Sequence, residues 1–207
     1  MKIHPNSRHF LLNAVVFLFL SLFFSHLFIP AALAAPETSM PKSLTILGKQ
    51  VVLKDCQGGG PGQKFIAEYI PENENWDNWT SMFASRYVPG NGQKLDALAS
   101  AEATAARITE RKKNGDIMAN SAVFKAPDGK SVVVDFLISE GKIIEHNIFR
   151  YFPSANGLVS LQIARRVYDD KANDAEVKAF IESIKTQRKT LLEETMRADL
   201  PVCAAAR

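Results

Sequence analysis

Apolar residues follow two different periods along this chain. Residues 10–29 form one nearly continuous apolar stretch, broken only by Asn13, Ser21, Ser25 and His26. After it the pattern becomes that of a folded domain. Residues 44–53 are a short β-rich piece. Residues 64–70 set Phe65, Ala67 and Tyr69 against Ile66, Glu68 and Ile70, a strand closed by Pro71. Trp76, Trp79, Phe83 and Tyr87 then recur at helical spacing. Asn73 to Asn75 offer caps, and Val88-Pro89 ends the run, which predicts a helix. A second helix is predicted over 93–113, with Leu95, Leu98, Ala101, Ala105 and Ile108 on one face. Arg111, Lys112 and Lys113 suit its C-terminal dipole, and Asn114-Gly115 is a C-cap signal.

The second half reads as a four-strand meander. Its strands are predicted over 117–125, 131–139, 142–152 and 158–168, separated by Pro127-Asp128-Gly129, Glu140-Gly141 and Pro153 to Gly157. Asn173 with Glu176 resembles a capping box, and Val177, Phe180, Ile181, Ile184 and Leu191 stripe a final helix. With Glu140-Gly141 as a two-residue turn, Val133, Leu137, Ile144, Ile148 and Phe152 share one face. Val132, Val134, Phe136, Ile138, Ile143, Phe149 and Tyr151 share the other. Both faces are largely apolar, so both need covering. The fold class predicted is α+β. An antiparallel sheet, made of the C-terminal meander plus one or two N-terminal strands, is covered by helices in the order ββααββββα.

The segment Phe65-Ile66-Ala67-Glu68-Tyr69-Ile70-Pro71, followed by Trp76-Asp77-Asn78-Trp79, is similar in style to the strand–Pro–aromatic-helix opening of PsbP-like domains. With the element order and the apolar N-terminus, the chain resembles that superfamily of small exported α/β sandwich domains over residues 44–197. The resemblance implies a binding or assembly module without chemistry of its own. It carries over no site residues, and the loop from Cys56 to Gly62 has no counterpart in it.

Composition changes the picture at the N-terminus. The first 34 residues hold Lys2 and Arg8 but no Asp or Glu, and Pro30 then Ala32-Leu33-Ala34 follow the apolar run. This is the pattern of a secretory signal peptide, with an uncleaved anchor as the alternative. The organisation read is therefore signal peptide 1–34, linker 35–43, one domain 44–200 and tail 201–207. No further apolar run is long enough to span a membrane, which implies no stable membrane span after cleavage and a periplasmic or secreted location. Without Lys2 and Arg8 the 25 basic residues become 23 against 22 acidic ones, a net charge of about +1. That balance, without aromatic-basic interleaving, argues against nucleic acid as a partner. Arg111-Lys112-Lys113 and Arg165-Arg166 read as solvated faces. Export makes a disulfide between Cys56 and Cys203 plausible; the alternative is two unrelated thiols.

Candidate chemistry is sparse. The run Gly58-Gly59-Gly60-Pro61-Gly62-Gln63-Lys64 lacks the Gly-Lys-Ser/Thr of a phosphate loop and precedes a strand, so it reads as a connection. Three of the four histidines lie in the first 34 residues, leaving His146. The predicted register sets it opposite Asp135, with Arg150 and Arg165 directed to the same face. Such a group suits either a general base or a buried polar network beneath a helix. No nucleophile elbow accompanies it, and one histidine is too few for a zinc site. Neither a cofactor nor a metal is called for. Trp76 and Trp79 are either an exposed recognition patch or a core stripe shared with Phe83 and Tyr87. The sequence points to an exported, non-enzymatic binding or interaction protein, an assembly, secretion-associated or immunity-like factor with an unidentified protein partner. The alternative is a small periplasmic hydrolase or ligand-processing enzyme centred on Asp135 and His146.

Overall fold

A computed structural model describes residues 40–46, 48–58, 63–169 and 174–197. Among them, eight strands form one antiparallel sheet, and two helices lie against it. The strands are β1 (Ser43–Ile46), β2 (Lys49–Gly58), β3 (Phe65–Ile70), β4 (Ser81–Pro89), β5 (Asn120–Lys125), β6 (Val132–Glu140), β7 (Ile143–Ser154) and β8 (Gly157–Tyr168). Helix α1 is Ala97–Lys113 and α2 is Asp174–Arg197. Their spatial order is β1-β2-β3-β4-β8-β7-β6-β5. Each half of the sheet is thus a consecutive meander, and β4 and β8 join the halves along one central seam.

This corrects the expected order ββααββββα, because the first predicted helix does not exist. Residues 71–80 are turns, and Ser81 to Pro89 is β4, paired with β3 and β8. The spacing that suggested a helix explains the error. Phe83 and Tyr87 stand four apart, a spacing that serves a strand of period two as well as a helix, while Trp79 lies in the turns before that strand. Trp76, three residues before Trp79, was the position that required a helical face, and it is 44% exposed. Trp79 is 4% exposed and packs with Ile70, Met82 and Ala164. The two tryptophans therefore share no stripe. The opening compared above with PsbP-like domains is here strand, proline, turns and strand.

The β-rich piece at 44–53 is also more than one strand. It is a hairpin of β1 and β2 that turns at Gly48, whose φ of +75° lies in the left-handed region glycine favours. Cys56 is consequently a half-buried strand residue on β2, packed against the first-half core, and not a loop residue. Cys203 and residues 59–62 lie outside the described residues, as do the N-terminal 39 and Asn173.

Turns in the second half fall close to their predicted places, with a shift at one of them. Glu140 pairs with Ile143, so the tight turn is Gly141-Lys142 and not Glu140-Gly141. Register moves by two residues: Asp135 faces Ile148 and Leu137 faces His146. A two-residue shift preserves the face of every side chain.

Two helices, not three, cover this half. Helix α1 begins later than expected, at Ala97, where the Asp96 side chain accepts from the Ala99 N–H as an N-cap. It sets Ala97, Ala101 and Ile108 against Val132, Val134, Phe136 and Tyr151 on one face. Helix α2 sets Leu191 and Leu192 against Val133 and Ile148 on the opposite face. That second face continues across the seam into a core of Phe65, Tyr69, Phe83, Tyr87, Val159 and Leu161. None of the described helices is long and apolar enough to cross a membrane.

Candidate functional site

Strand pairing determines which polar residues meet beneath α2. Alternation on β6, β7 and β8 sends Asp135, His146 and Arg165 to the α2 face. Arg165 pairs directly with His146, while Asp135 lies diagonally across from it. The diagonal is close enough for a bond: His146 Nε2 stands 2.7 Å from Asp135 Oδ1. Asp135 and His146 are each 3% exposed. The other carboxylate oxygen accepts from Arg188 Nε, which reaches down from α2. Burial raises the Asp135 pKa, but the hydrogen bonds from His146 and Arg188 outweigh it and hold the carboxyl below its ordinary range.

A carboxylate acceptor assigns a proton to Nε2 of His146, leaving Nδ1 as an acceptor. Nδ1 lies 3.5 Å from Nη2 of Arg165. Both ring nitrogens are therefore engaged within the fold. Arg165 in turn donates from Nη1 to Gln187 Oε1 at 3.1 Å, and its guanidinium lies 5.8 Å from the Phe180 ring centroid. Its Nε is buried with no hydrogen-bond partner among the described residues. Burial lowers the Arg165 pKa, against a smaller upward pull from Asp135.

Arg150 belongs to a different cluster. It lies four residues beyond His146 on β7, about 13 Å along the strand at ~3.3 Å per residue. There it donates to Ser131 Oγ, to the Thr195 carbonyl and to Asp128, tying the β5–β6 turn to the end of α2. The predicted trio is thus an Asp135–His146 pair completed by Arg165 and Arg188. Arg188 was not foreseen, since nothing in the period of α2 marks it.

Next to this network a cavity of about 270 Å³ opens between the β1–β2 hairpin, the seam and α2. Lys49, Ser81, Arg165 and Gln187 supply its polar lining, and Ile46, Val51, Ile163 and Leu191 much of its apolar lining. Lys49 Nζ donates to Ser81 Oγ at 2.8 Å, and Ser81 is the register partner of Arg165. Two cations therefore stand over adjacent residues of the same wall.

The opposite face of the sheet, the one that α1 packs against, carries a second polar group along the seam. Arg86 bridges Glu68 and Gln162, Gln162 donates to Asn147, and Glu145 accepts from Arg166 at 2.9 Å. Arg166 also lies 3.8 Å from the Trp79 ring centroid. Trp79 is therefore a buried seat for an arginine, while Trp76 remains exposed on the turns before β4. Among the described residues no three His, Cys, Asp or Glu converge in a way that would hold a metal ion.

No curated protein and no solved structure matches the chain. Residues 38–200 match the model of a protein family, a stretch that spans all eight strands and both helices, so the chain belongs to that family.

Proposed function

We propose that this chain is an exported, non-enzymatic binding protein, working in the periplasm or outside the cell. The export half of the reading rests on the signal-like N-terminus. The non-enzymatic half is supported above all by the depth of His146. It is 3% exposed, with Nε2 on Asp135 and Nδ1 against Arg165, beneath a helix. A general base needs a nitrogen within reach of a substrate proton, and this imidazole offers none. The network suits another purpose, since its hydrogen bonds join three strands and α2.

The test uses protein purified from the exported fraction. It is assayed for turnover against a panel of esters, amides and phosphoesters, and in parallel as a tagged bait in extract of the same compartment. Stable stoichiometric capture of a partner or ligand, without turnover, is the expected result. Turnover that His146→Ala abolishes would overturn the reading.

A further inference from the structure

The cavity beside Arg165 combines features that point to one class of ligand. Its polar side carries two cations, Lys49 and Arg165, and among the described residues no acidic one lines it. Asp135, the nearest candidate for neutralising Arg165, is already hydrogen-bonded to His146 and Arg188. The remaining wall is aliphatic. At roughly 30 Å³ per water-sized volume, about 270 Å³ accommodates an organic molecule of about ten heavy atoms. That is below the span of drug-sized pockets, which begins near ~300 Å³.

We propose that this cavity binds a medium-chain monocarboxylate, its carboxylate held between Lys49 and Arg165 and its chain lying along Ile46, Val51, Ile163 and Leu191. The assignment deepens the binding reading and rests on it. Lys49 stands exposed at the mouth, held by Ser81, where it meets an approaching anion. Arg165 lies farther in, braced by Gln187 from α2. The ligand would thus touch the hairpin, the seam and α2 together.

Isothermal titration calorimetry of the exported, purified protein with octanoate tests the assignment. Octylammonium, octan-1-ol, inorganic phosphate and a free-acid tetrapeptide ending in leucine serve as comparators. Octanoate should bind saturably at one site, at least ten-fold more tightly than octylammonium, octan-1-ol or phosphate. Lys49→Gln should weaken it about five-fold or more, and Arg165→Met further. Circular dichroism melting shows whether each variant is folded, and the exposed Lys49 position keeps the test decisive if Arg165→Met does not fold. Absence of octanoate binding, equal binding of octylammonium, or unchanged affinity in Lys49→Gln would overturn the assignment. Tighter binding of the tetrapeptide would instead assign the seat to a polypeptide C-terminus and overturn the small-molecule reading. These failures leave the non-enzymatic reading intact; that reading falls separately, by His146-dependent turnover.

Discussion

Replacing Asp135 with Asn tests the network beneath α2 directly. The change keeps the side-chain shape but removes the charge that His146 and Arg188 both address. Hydrogen bonds to a charged group contribute about 1.5–3 kcal/mol each. The Arg188 side chain is 45% exposed, so its share falls toward the lower end of that range. Asparagine retains one acceptor, so the expected loss is about 2–3 kcal/mol at neutral pH. For a chain of this size that corresponds to a fall in Tm of roughly 5–10 °C. The pH dependence is the sharper part. The folded-state pKa of Asp135 lies below its unfolded value of about 3.9. Its contribution is therefore fully present above about pH 4 and is lost as pH falls through the folded value. The gap between wild type and Asp135→Asn should be flat from pH 7 to about 4.5, then narrow toward pH 2.5. Urea unfolding followed by circular dichroism at a series of pH values measures it. A gap below about 0.5 kcal/mol at pH 7, or one that does not narrow in acid, would refute the argument.

The two tryptophans should behave as opposites. Trp79→Ala removes a buried ring that seats Arg166 and should cost about 3–5 kcal/mol. Trp76→Ala should stay within about 0.5 kcal/mol while removing most acrylamide-quenchable fluorescence. Leu191→Ala, in the contact between α2, Val133 and Ile148, should cost about 3 kcal/mol by chemical denaturation. Tyr69 is fully buried, with its hydroxyl donating to the Pro41 carbonyl, and burial pushes its pKa up to about 12. Ultraviolet titration should therefore show one tyrosine ionising near that value. Because its folded pKa is raised, the stability it confers is complete below about pH 10 and lost as pH rises through about 12.

Local signals were legible where one element settled them. Asp128-Gly129 and Gly141 mark their turns because φ above zero is needed there, and both glycines adopt it. The face shared by Asp135 and His146 was also legible, since a register error of two residues leaves alternation untouched. Helix and strand could not be told apart at Phe83 and Tyr87, where a spacing of four fits both periods. Pairing decided between them: β4 is flanked on both sides by strands, which no helix could satisfy. Long-range partners were hidden for a different reason. Arg188 meets Asp135 across 53 positions and Lys49 meets Ser81 across 32, and nothing local encodes either meeting.

The central seam also constrains the order in which the molecule is assembled. Strand β4 can acquire its second neighbour only from β8, with Ser81 matched to Arg165 and Pro89 to Gly157. Until β8 has emerged, the first meander has a naked edge strand and its core lacks Val159, Leu161 and Ile163. Pairings between such distant positions carry a large loop-closure cost and form slowly. Premature folding of the N-terminal half is thereby disfavoured during synthesis, and the sheet closes only once β8 is available to β4.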